Sequence, residues 1–196
     1  MDGNLVNVLR LVEEEGADVD KATSNGPTPL GTAAARGHFA VVRYLVERGA
    51  DVDKARATSY TPLYGAAAFL PIVRYLVEHG ADKDKADGDG WTPLLAAATK
   101  DFVAAVRYLV EQGADKNKTT FTGETPLYLA AASGNLAIVQ CLVQQGADKS
   151  RANNSGWTAL RAARSNGHAE VVAWKLPGPD ESGPVGFSRR DSLSPL

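Results

Sequence analysis

Apolar residues along this chain fall into blocks of two textures that alternate. One texture is small: "GTAAAR" (31–36), "GAAAF" (65–69), "LAAATK" (95–100) and "LAAASG" (129–134). The other is bulky: "VVRYLV" (41–46), "IVRYLV" (72–77), "AVRYLV" (105–110) and "IVQCLV" (138–143). In the first bulky block Phe39, Val42, Leu45 and Val46 share one face at helical spacing, while Arg43 and Glu47 stand one turn apart on the wet side. The alanine blocks predict short, thin helices whose faces a neighbouring backbone can approach closely. Each thin helix opens with Thr-Pro: Thr28 can cap with its side-chain oxygen, and Pro29 suits the first helical position, where no N–H is needed. Gly37 and Gly49 supply the left-handed conformation that ends each helix of the pair.

The pairs repeat. Thr-Pro-Leu begins at Thr28, Thr61, Thr92 and Thr125, with Thr158-Ala159-Leu160 as a fifth copy. Gly-Ala-Asp begins at Gly16, Gly49, Gly80, Gly113 and Gly146. Both landmarks step by 33, 31, 33 and 33 residues, so the period and its single irregularity are properties of the whole unit. No unit can bury its bulky face alone. Stacking is therefore obligatory, and the pattern predicts an α-solenoid.

Thr-Pro-Leu, the alanine helix, Gly-His, the Val-Val-x-x-Leu-Val helix and Gly-Ala-Asp at period 33 resemble ankyrin repeats over roughly residues 3–175. The resemblance implies an all-α fold with short β-hairpin-like loops, an ankyrin-type α-solenoid of stacked helix-turn-helix repeats. It implies an N-terminal capping half-repeat over 1–24 that retains only its second helix (5–15). An array over 25–175 follows, with four full repeats and an incomplete C-terminal one. The Pro/Gly/Ser-rich residues 176–196 are expected to be a disordered tail.

Departures from the family pattern are informative. The usual His after Thr-Pro-Leu is replaced by Gly31, Tyr64, Leu95, Tyr128 and Arg161, which removes the Thr–His hydrogen bond and predicts lower stability. Asp101 stands where Gly37 stands in the first repeat, and Asp tolerates the left-handed region at modest cost. The second repeat lacks the pair corresponding to Arg36-Gly37, so Phe69 aligns with His38 and Pro71 with Ala40. Its inter-helix turn must tighten or its alanine helix must shorten, and Phe69 is expected at the rim of the groove.

Composition narrows the function classes. A hydrophobic fraction of 44% supplies enough material for a core. A net charge of −2 offers no basic footprint for nucleic acid, and no apolar run approaches the ~20 residues of a membrane span. The first residues, "MDGNLVNVLR", lack the basic start of a secretory signal, and Cys141 has no partner cysteine, which suits a reducing compartment. The expected location is cytoplasmic, with the nucleus as the alternative.

Candidate chemistry is sparse, and the expectation is no enzyme, no cofactor and no metal. His38 and His168 follow the inter-helix glycine and His79 closes a helix, so all three occupy structural positions, none at metal-ligand spacing. Cys141 fills the slot of Tyr44, Tyr75 and Tyr108 as a packed small hydrophobe. The acidic stretch 82–89 lacks the terminal Glu of a calcium loop. The Arg43, Arg74, Arg107 and Glu47, Glu78, Glu111 columns predict a charged ladder on the outer helices. Ser192 in "RRDS" fits a basic-directed phosphorylation pattern, and the resemblance marks Asn117, eight residues after Leu109, as a possible hydroxylation position.

The resemblance places partner contacts at hairpin tips and first-helix ends. The tips carry Ser24, Asn25, Arg56, Ala57, Asp87, Asp89, Phe121, Thr122, Asn154 and Ser155. Tyr60, Trp91, Glu124 and Trp157 stand just before the threonines, while Arg36, Thr99, Lys100 and Ser133 lie on the first helices. Aromatic anchors favour Tyr60, Trp91 and above all Phe121, although a tryptophan in this slot can also pack on its own hairpin. The reading is a monomeric, non-catalytic module that binds another protein on its concave face. The alternatives are a targeting subunit of a larger enzyme or ubiquitin-ligase-type assembly, or a structural spacer.

Overall fold

Each threonine of the repeated triplet caps a helix as its chemistry requires. Thr28 Oγ1 accepts from the Gly31 N–H at 3.1 Å, and Thr61, Thr92, Thr125 and Thr158 accept from Tyr64, Leu95, Tyr128 and Arg161 at 3.0–3.3 Å. These caps open α2 (Pro29–Ala35), α4 (Pro62–Gly65), α6 (Pro93–Thr99), α8 (Pro126–Ala132) and α10 (Ala159–Ser165). The second helices are α3 (Phe39–Glu47), α5 (Leu70–Glu78), α7 (Val103–Glu111), α9 (Leu136–Gln144) and the short α11 (Ala169–Ala173). A computed structural model describes residues 3–22, 27–55 and 60–174. The expected tail with Ser192, and Ser24, Asn25, Arg56 and Ala57, lie outside the described residues.

First helices stack on first helices and second on second, so one core runs the length of the array. Leu30, Leu63, Leu94 and Leu127 are fully buried, as are Val42, Val73, Val106 and Val139 and then Leu45, Leu76, Leu109 and Leu142. Each such leucine contributes about 1.5–3 kcal/mol by leaving water. The buried alanines, among them Ala34, Ala66, Ala97, Ala130 and Ala163, let successive first helices approach closely.

The segment expected to be a half-repeat holds a single helix among the described residues, α1 (Gly3–Glu13). It stops two residues before the expected end because the Glu14 and Glu15 N–H groups both bond to the Arg10 carbonyl, turning the chain into Gly16 at φ 61°. Glu13 then docks α1 on α3, accepting from the Tyr44 hydroxyl at 3.2 Å and pairing with Arg48. At the other end α11 is only five residues long, where the other second helices run to nine.

Both accommodations anticipated for the second repeat occur together. Helix α4 is four residues long and tightens into a single 3-10 turn over Ala66–Ala68. Phe69 then takes the place before α5 that His38 takes before α3, and Pro71 sits in the first turn of α5. Asp101 adopts φ 60°, the one positive φ of a non-glycine among the described residues. The outer charged ladder is a mixed arrangement instead. Arg43 and Glu47 pair at 3.6 Å, but the Arg74 guanidinium lies 4.6 Å from the centre of the Tyr108 ring in the following repeat. Stacking on a π face couples adjacent repeats, which an intrahelical ion pair does not.

A second system joins the repeats along their loops. The first Asp of each loop bends the chain: Asp18, Asp51, Asp82, Asp115 and Asp148 accept, through Oδ1, the N–H two residues on at 2.8–2.9 Å. The residue so positioned reaches the next repeat. Asp20, Asp53, Asp84 and Asn117 accept the backbone N–H of Asp51, Asp82, Asp115 and Asp148 at 2.9–3.1 Å. The result is a relay of side-chain oxygens and backbone N–H groups from Asp18 to Ser150.

Candidate protein-binding surface

Three hairpins are built on one plan. The Asp87 N–H donates to the Trp91 carbonyl at 3.0 Å, and Asp87 Oδ1 accepts from the N–H groups of Asp89 and Trp91, both at 2.9 Å. Asn153 does the same for Ser155 and Trp157, and Thr120 does it for Glu124 with its hydroxyl. Asp87 therefore holds its own turn as well as lying at the tip. The turn-organising role of Asp87, Thr120 and Asn153 escaped the sequence reading, although all three stand five residues before the capping threonine.

The tips are also tied to one another. The Phe121 N–H donates to the Asp89 carbonyl at 3.2 Å, and Asn154 donates from its backbone to Thr122 and from Nδ2 to the Phe121 carbonyl, at 3.0 and 2.8 Å. Phe121 is thus fixed at its backbone on both sides while 72% of its surface stays exposed. Its ring lies against Gly90, at φ 84°, where an added Cβ would come within 3.0 Å of it. An exposed aromatic on an ordered backbone presents contact area at low entropic cost.

The other candidates divide. Asp89, Asn154, Arg36 and Lys100 are exposed, while Asp87, Glu124, Trp91 and Trp157 are half-buried. Trp157 is stacked under the Arg161 guanidinium of its own repeat, 4.6 Å from the ring centre. Tyr60 stacks on Tyr64 at 5.2 Å and rests on Gly65, so it belongs as much to the wall of its repeat as to the surface. Burial, then the Asp87 charge, then Tyr60 push the Tyr64 hydroxyl above its ordinary value, which keeps it a neutral donor.

Phe69 lies away from the hairpin row, at the junction of the two helices, 36% exposed with its ring over Gly37 of the preceding repeat. Asn117 is half-buried, its amide oxygen engaged by Asp148. Burial raises the Cys141 thiol above its ordinary value while Arg107 pulls it down, a net direction that favours the protonated thiol. Among the described residues no cluster of three or more His, Cys, Asp or Glu could hold a metal ion, and no helix is long and apolar enough to cross a membrane.

A family described as ankyrin repeats (3 copies) matches residues 1–87, 56–120, 83–153 and 114–178. The chain belongs to the ankyrin repeat family. Ankyrin repeats are generally protein–protein interaction modules and are typically non-catalytic. No curated protein matches this ankyrin repeat chain. Its tip residues are those of its own sequence, and the shared scaffold does not name what they bind.

The sequence reading also missed an opening in this ankyrin array. Ala35, Ala68 and Ala96, from three successive repeats, line a cavity of about 330 Å³ walled by Tyr60, Tyr64 and Phe102, with Lys100 at its rim. The sequence signal beside it is the two-residue deletion, which falls directly after Ala68.

Proposed function

We propose that this chain is a non-catalytic adaptor that captures a partner protein on the face formed by its hairpin tips and first helices. The observation that supports this most directly is Phe121, largely exposed and held by backbone bonds to the hairpins on either side. Around it stand Asp89, Glu124 and Asn154, polar groups that suit the rim of an interface. Arg36 and Lys100 offer exposed cations from the first helices. Binding energy concentrates in the aromatic anchors, and the hydrogen-bonded tips limit the ordering cost.

The test is proximity labelling and pull-down with the full chain and with a variant carrying Phe121→Ala, Tyr60→Ala and Trp91→Ala. Partner capture is expected to disappear while the helical circular dichroism signal is retained. Capture at the wild-type level by the folded variant rejects this surface.

A further inference from the structure

We propose that the shortened turn of the second repeat forms a pocket for one apolar side chain of an acidic partner segment. This deepens the adaptor reading and rests on it. In the first, third and fourth repeats two residues extend each first helix toward its partner, as Arg36-Gly37, Lys100-Asp101 and Ser133-Gly134 do. The second repeat has none, and its chain passes from the 3-10 turn directly to Phe69. Ala68, the last residue before the deletion, lines the cavity together with Ala35 and Ala96 of the flanking repeats.

Its walls specify the guest. The methyl groups of Ala35, Ala67, Ala68 and Ala96 line it together with the stacked rings of Tyr60 and Tyr64. About 330 Å³ lies at the bottom of the ~300–1,000 Å³ range of small-molecule sites, which suits a single large side chain. Lys100 stands at the rim and Arg36 adjoins Ala35. Both are exposed, and neither forms an ion pair among the described residues. No carboxylate is among its lining residues: Asp101 lines a second opening that shares Phe102, and Asp87 acts on the Tyr64 hydroxyl without lining the cavity. A segment with an apolar residue between carboxylates therefore enters with its charges toward Lys100 and Arg36.

The experiment titrates the ¹⁵N-labelled full chain with the acetylated, amidated peptide Glu-Glu-Leu-Glu-Glu. Parallel titrations replace its Leu with Gly, or its Glu residues with Lys. Amide shifts are expected at Tyr64, Gly65, Ala68 and Lys100, with at least tenfold weaker binding of both control peptides. Ala68→Phe, which fills the cavity from an exposed position, and Lys100→Glu, which reverses the rim charge, are each expected to weaken binding at least tenfold. No shifts at millimolar peptide, shifts confined to the hairpin tips, or equal binding of the lysine peptide overturns the proposal. Binding unaffected by Ala68→Phe overturns it too. If the pocket fails in this way while partner capture still depends on Phe121, the adaptor reading stands. Loss of the Phe121 dependence instead removes that reading.

Discussion

The ring of Phe69 lies against Gly37 of the preceding repeat, so close that a β-carbon there would meet Cε1 at 2.5 Å. Gly37 also sits at φ 75°. Two independent requirements thus converge on one glycine, positive φ and the absence of a side chain. Gly37→Ala is expected to lower stability by about 1–3 kcal/mol in urea unfolding. Adding Phe69→Ala clears the steric clash but not the strained φ. The double variant should therefore lose less than the two single losses combined. Strict additivity would show that the two residues are not coupled.

The gap beyond Ala68 is expected to make the second repeat the weak seam of the stack. Inserting Arg-Gly between Ala68 and Phe69 restores the 33-residue period and the turn glycine. The melting temperature is expected to rise, and the peptide shifts at the pocket to vanish. A lower melting temperature contradicts this account of the seam.

Asp101 holds a left-handed conformation at φ 60°, is exposed, and serves a turn that glycine serves in three other repeats. Asp101→Gly relieves the strain but gives the unfolded chain more freedom. The balance favours glycine, with an expected gain of up to about 1 kcal/mol because left-handed L-residues cost roughly 1–2 kcal/mol. Equilibrium urea denaturation measures it.

Asp53 is the relay residue whose environment works against its charge. Burial, joined by the Asp82 and Asp51 charges, holds its carboxyl above the ordinary value against the lowering effects of the Asp82 N–H and of Lys85. The folded chain therefore keeps this proton more tightly than the unfolded chain. Stability falls as pH rises from the unfolded value, about 3.9, through the raised folded one, and the loss persists at neutral pH. Asn117 fills the same slot with a neutral oxygen that accepts an equivalent N–H. Asp53→Asn is expected to raise the melting temperature at pH 7, with the advantage shrinking below about pH 3.9. An advantage independent of pH would assign the effect to something other than the charge.

Much of the fold was legible because it is local. The Thr28 cap, Gly37 at the turn and Asp101 in its place are each dictated by a few neighbouring backbone atoms, and the sequence carries them openly. The buried register of Leu30, Val42 and Leu45 follows from helical periodicity alone. What escaped depends on how one repeat sits over the next. Phe69 over Gly37, Arg74 over Tyr108 and the Asp20-to-Asn117 relay all join residues in adjacent repeats, about 30 positions or more apart, at distances set by the rise and twist of the stack. The hairpin tips around Asp89, Phe121 and Asn154 were legible by position, since the repeat spacing marks them among the described residues. The separation of exposed Phe121 from half-buried Trp91 and Trp157 was legible in part, because a tryptophan just before the capping threonine can pack on its own hairpin while Phe121 stands at a tip.

The loop relay has a consequence for how this array can change length. Each of its joints grips a peptide N–H, a group every residue but proline carries, so the joint does not read the identity of the repeat beyond it. Excision of residues 85–117, one 33-residue period, leaves Asp84 to face Asp148 as it now faces Asp115. The same coupling would close over the cut. Such a chain is punctuated like a sentence whose clauses can be dropped or duplicated without re-spelling the conjunctions, and a two-residue slip inside one clause leaves the neighbouring joints intact.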